Sequence, residues 1–150
     1  MTDLDLFWKN FKKYVEANPC AVTVGAPCKY HLKAKLTGYD NLQIDFCISY
    51  KSGGVNKWKT RVELYGLKGV KQVERCIYFE SQLENMRKAL SDYEVDFRII
   101  SEDKQSWKLY AGTNDLVHRN CDDVEIYKYF VKAINRMAEA WKSFFEPYKK

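Results

Sequence analysis

Apolar and polar residues alternate along the chain from Lys29 to Tyr65. Even positions are largely apolar: Tyr30, Leu32, Ala34, Leu36; Leu42, Ile44, Phe46, Ile48, Tyr50; then Trp58, Val62 and Leu64. Odd positions are polar and mostly basic: Lys29, His31, Lys33, Lys35; Gln43, Asp45, Cys47, Ser49, Lys51; then Lys57, Lys59, Arg61, Glu63 and Tyr65. Successive side chains of a strand point to opposite faces. The parity therefore predicts strands over residues 29–37, 41–51 and 56–65, antiparallel, with one buried face and one wet, cationic face. Gly38-Tyr39-Asp40-Asn41 and Ser52-Gly53-Gly54 are turn-rich joints that suit hairpins.

Helical spacing brackets this region. Thr2 and Asp5 have the spacing of a capping box, and Leu6, Phe7, Phe11, Tyr14 and Val15 follow, so the first helix runs from about Asp3 to Ala17 and Asn18-Pro19 ends it. Residues 20–28 fit either a short edge strand or a loop between two prolines. Val70, Val73, Ile77, Leu83, Met86 and Leu90 share one helical face and predict a second helix. Val95, Phe97 and Ile99, then Trp107, Leu109 and Ala111, alternate as two further strands joined at 101–106. After a loop at 112–121, Asp122 or Asp123 caps a last helix whose stripe is Tyr127, Phe130, Ala133, Ile134, Met137, Trp141, Phe144 and Phe145. The predicted architecture is one α+β domain over residues 1–150, ordered helix, three strands, helix, two strands, helix. Its five-stranded antiparallel sheet has the helices packed on one face.

Composition adds two constraints. Five cysteines with irregular spacing argue for a reducing compartment rather than a disulfide framework. The acidic start Met-Thr-Asp-Leu-Asp is unlike a signal peptide, and no apolar run reaches the length of a membrane span, so the expected location is cytoplasmic. Net charge is +5, and its distribution matters more than its size. On the polar face of the first three strands, Lys29, Lys33, Lys35, Lys51, Lys57, Lys59 and Arg61 meet only Asp45 and Glu63. Parity-keeping hairpins place Lys33 opposite Asp45, Arg61 on the other side of Asp45, and Glu63 near Gln43 and Lys35. After pairing, about five cations lack a partner, which equals the net excess of the whole chain. Arg98 and Lys108 add to this face, less Asp96, and Tyr65 and Tyr110 set rings beside the cations. Basic residues interleaved with aromatics suit a phosphate backbone and stacked bases. Cross-strand ion pairs on a solvated sheet account for the same residues without a ligand.

The signals for catalysis and metals are weaker. His118 lies three residues before Cys121, a spacing that chance supplies often, and a nucleophile needs demonstrated geometry. Cys20, Cys28 and His31 are spaced too widely for a structural zinc site, and no second pair follows. Ser52-Gly53-Gly54 lacks the Gly-Lys-Ser/Thr of a phosphate loop. Asp45, Glu63 and Lys33 share one face, as a metal-dependent nuclease would need, but no Asp…Glu-x-Lys run accompanies them. No catalytic residue, metal ligand or cofactor is assigned. Trp141, Phe144, Phe145 and Tyr148 read as core.

Arg61-Val62-Glu63-Leu64-Tyr65 resembles the uncharacterised family called domain of unknown function 4268. The Leu83 to Lys88 helix end, the following strand pair with a tryptophan, Phe7-Trp8, and the ending Trp141-Lys142-Ser143-Phe144-Phe145-Glu146-Pro147 are similar too. The chain departs from the pattern at Gly66-Leu67-Lys68-Gly69. The resemblance implies an accessory domain near nucleic-acid enzymes, with no catalytic residues to carry over.

The expected function is a non-enzymatic binding module for a polyanion, first of all nucleic acid. Lys33, Lys35, Lys57, Lys59, Arg61, Tyr65, Arg98, Lys108 and Tyr110 form its surface. One alternative is a protein-interaction or inhibitor module, such as a mobile-element counter-defence factor, that binds an acidic or nucleic-acid-binding partner. A metal-dependent nuclease is the other.

Overall fold

A computed structural model describes residues 3–48, 59–116 and 120–150. Helix α1 (Asp3–Ala17) leads into β1 (Val22–Cys28), β2 (His31–Leu36), β3 (Gln43–Ile48) and β4 (Thr60–Gly66). Helix α2 (Val70–Ala89), β5 (Glu94–Ile99), β6 (Trp107–Thr113), α3 (Asp123–Ala140), a short α4 (Lys142–Phe145) and a 3-10 turn (Glu146–Tyr148) complete the chain. The α+β class and antiparallel pairing agree with the sequence reading, but the sheet has six strands, not five, in the order β1-β2-β3-β4-β6-β5.

The additional strand is β1, from the stretch that fitted strand or loop. It pairs with β2 through a two-residue turn at Lys29 and Tyr30, and Lys29 takes the left-handed conformation (φ 45°). No Gly or Asn marks that turn, so the alternation ran straight through it. β1 is an edge strand, and its pairing is irregular between Val24 and Pro27. A proline and a bulge are features that discourage further strand addition.

The apolar side of the sheet meets the helices in one core. Leu32, Ala34, Ile44, Phe46, Val62, Leu64, Leu109 and Ala111 pack with Phe7, Trp8 and Phe11 of α1, Phe79 and Met86 of α2, and Phe130, Ile134 and Met137 of α3. Trp8, Trp107 and Trp141 are fully buried, and each indole N–H finds a carbonyl: Lys29, Gln72 and Met86, respectively, at 2.9, 3.0 and 2.9 Å. Trp141, Phe144, Phe145 and Tyr148 belong to or pack against this core. Gly66 ends β4 where a Cβ would overlap the Trp107 indole and the Gln72 side chain.

The α2 stripe requires correction. Val70 and Ile77 are exposed, and the buried face carries Gln72, Arg75, Cys76, Phe79 and Met86. Arg75 is buried because it satisfies other parts of the fold. It donates to the carbonyls of Asn41 and Asp40, each at 2.9 Å, and lies over the Tyr148 ring. The same corner joins the C-terminus to the β2–β3 turn, through Asp40 N–H to Tyr148 O at 2.6 Å and Lys150 N–H to Gly38 O at 3.1 Å. Thr2, the proposed cap of α1, lies outside the described residues.

Candidate functional site

The opposite face of the sheet is polar, and the strand register arranges it in rows. One row runs His31, Cys47, Arg61, Gly112, Glu94; the next Lys33, Asp45, Glu63, Tyr110, Asp96; the third Lys35, Gln43, Tyr65, Lys108, Arg98. Lys33 stands opposite Asp45, as parity indicates. The other two expected pairings are corrected. Glu63, not Arg61, stands opposite Asp45, Arg61 faces Cys47, and Gln43 faces Tyr65. Parity fixes which face a side chain takes, but a shift of two residues in the β3–β4 hairpin leaves parity unchanged.

That shift sets two carboxylates side by side. Arg61 Nε donates to Glu63 Oε1 at 2.7 Å, and Lys108 Nζ lies 3.0 Å from Glu63 Oε2. The wet face is therefore wet only at its margins. Glu63 is fully buried, and Arg61, Asp45 and Cys47 are 4%, 8% and 3% exposed. Every residue of β4, an inner strand paired on both sides by β3 and β6, is buried. Tyr65 and Tyr110 are also buried and present no open ring to a base, contrary to expectation.

Burial and charge drive the two carboxylates apart. Burial would raise Glu63, but the Arg61 and Lys108 charges outweigh it and hold Glu63 below the ordinary range. Burial first, and the Glu63 charge second, push Asp45 up to about 7. Oδ1 of Asp45 is buried with no hydrogen-bond partner among the described residues. Burial raises the Cys47 thiol well above its usual value, and burial followed by the Lys33 charge lowers His31. His31, Asp45, Cys47, Arg61, Glu63 and Lys108 line a cavity of about 230 Å³. One ionised carboxylate beside one that holds its proton near neutrality is an arrangement typical of functional sites.

The remaining expected residues scatter around this centre. Lys33, Lys35 and Arg98 are exposed and form no ion pair among the described residues. Lys59 is half-buried at the foot of β4, and its backbone N–H donates to Asn114 Oδ1 at 3.2 Å. Lys51, Lys57 and His118 lie outside the described residues. Cys28 is exposed and pairs in register with His31, whereas Cys20 packs against the core. The nuclease residues Asp45, Glu63 and Lys33 do share a row, and Lys108, from a strand distant in sequence, is the lysine that touches Glu63.

No family model and no curated protein sequence matches the chain. A solved structure, the crystal structure of an uncharacterized protein from Methanothermobacter thermautotrophicus, is similar at 11% identity and a TM-score of 0.43, over 91% of this chain and 92% of that one.

Proposed function

We propose that the polar sheet face binds nucleic acid through its phosphates. The observation that carries this reading is the exposure of Lys33, Lys35 and Arg98, none with an ion-pair partner among the described residues, around a centre whose own charges are matched. Lys35 and Arg98 lie in one row, four interstrand spacings apart, so the cations span about 19 Å. Several phosphates fit along that distance at a rise of about 3.4 Å per strand. Arg61 acts in this reading by holding Glu63 in place, not by meeting the ligand.

Fluorescence anisotropy with single- and double-stranded oligonucleotides over a salt series tests the reading. Three phosphate contacts give log–log slopes of about −2 on single strands and about −2.7 on duplex. Absence of binding at low salt sinks it. A protein partner is the second reading, favoured by the exposed Leu67 and Val70 beside Lys68 and Lys71 at the start of α2. A stoichiometric protein complex that survives nuclease treatment would support that alternative. For the hydrolytic version of the first reading, the requirement is divalent-ion-dependent cleavage that Asp45→Asn abolishes.

A further inference from the structure

We propose that Asp45, Cys47 and Glu63 form a binding site for one divalent transition-metal ion of the zinc class. Asp45 and Cys47 are two apart on β3 and so point to the same face, and Glu63 stands directly across from Asp45 on β4. One donor atom from each, two carboxylate oxygens and the thiol sulfur, lie within 4.8 Å of one another. Ligands of a tetrahedral zinc ion, bound at about 2.0–2.3 Å, are about 3.5 Å apart, so side-chain adjustments of about an ångström complete the set.

The second observation is independent of the clustering. Asp45 is 8% exposed and lines the cavity, and its buried Oδ1 has no hydrogen-bond partner among the described residues. A buried acceptor without a donor is costly, and a cation in the cavity would relieve it. The thiol sets the class of ion: sulfur beside carboxylates suits zinc or cobalt, whereas magnesium and calcium prefer oxygen alone. His31 lines the same cavity and stands beside Cys47 in the strand register, outside the set of three donors.

Charge is compatible with this assignment. Arg61 and Lys108 balance ionised Asp45 and Glu63, and a dication that displaces the Cys47 thiol proton leaves the cluster one positive charge in excess. Lys108 is half-buried and can turn its ammonium towards solvent. The thiol proton, and any proton on Asp45, pass to solvent, so binding tightens as pH rises.

The test is a cobalt(II) titration of the full chain without nucleic acid, followed by absorption, with zinc as competitor. One ion per chain is expected, with a thiolate-to-cobalt charge-transfer band and intense tetrahedral ligand-field bands. Cys47→Ser and Cys47→Ala should both lose the charge-transfer band, and Asp45→Asn should weaken binding about tenfold or more. The Cys20→Ser/Cys28→Ser variant should keep both signals, which separates the site from adventitious thiols. The absence of a bound ion, a charge-transfer band that persists without Cys47, or one that disappears with Cys20 and Cys28 overturns the proposal. The reading of the sheet face as a nucleic-acid surface is independent: a Lys35→Glu/Arg98→Glu variant, which leaves Lys33 beside Asp45 in place, should bind cobalt as the parent does.

Discussion

At the scale of single residues, the polar face is governed by Glu63 and Asp45, equal in formal charge and opposite in behaviour. Glu63 is matched by two cations, and removing its charge takes the ionised carboxylate away from the buried Arg61 guanidinium. Glu63→Gln should therefore cost about 3–5 kcal/mol in chemical unfolding, while Arg61→Met/Glu63→Leu, which removes both charges, should recover much of that loss. Asp45 makes the opposite contribution. Its folded value of about 7 lies above the roughly 3.9 of an unfolded aspartate, so the folded chain holds this proton more tightly. The stabilisation is complete below about pH 4 and is lost as pH rises through about 7. Parent protein should thus lose stability relative to Asp45→Asn between about pH 4 and about pH 8, by on the order of 2 kcal/mol or more. Parallel stability curves for the two proteins would show that Asp45 is not perturbed.

At the scale of elements, the corner where α2 meets the β2–β3 turn and the C-terminus depends on one side chain. Arg75 satisfies two turn carbonyls and covers Tyr148, so its burial follows from hydrogen bonding rather than hydrophobicity. Arg75→Ala should destabilise the chain by about 2–4 kcal/mol, and exchange of the Asp40 and Lys150 amides should accelerate more than that of β4 amides. Uniform acceleration would mean that the corner is not a separate unit. The α2 stripe read from spacing chose Val70 and Ile77, both exposed, because that count of apolar residues had no place for an arginine or a glutamine facing inwards. By contrast the aromatic faces of α1 and α3 were legible: Phe7 and Phe11, Tyr127 and Phe130 sit where 3.6-residue spacing puts them, although Leu6 of the α1 stripe is exposed and Trp8, outside it, is buried.

For the whole molecule, the helices take one face of the sheet and leave the other to polar residues. If its marginal cations meet phosphates, Lys33→Glu/Lys35→Glu/Arg98→Glu should weaken oligonucleotide binding at least about tenfold and flatten the salt dependence. Lys9→Glu/Lys13→Glu/Lys128→Glu makes the same change of charge on exposed helical positions and should affect binding much less. Both variants should melt close to the parent, since exposed substitutions usually stay within about 0.5 kcal/mol. Equal loss in the two variants would reduce the effect to net charge. The sequence alone determined the class of fold, the strand faces and the helices at either end, because period-two and period-3.6 burial are local properties of the chain. Only the tertiary structure decided that Glu63 faces Asp45, that Lys108 arrives from a distant strand, and that every residue of β4, inside the sheet, is buried. Register and burial depend on which strands become neighbours, and a shift of two residues changes every partner without moving a side chain to the other face.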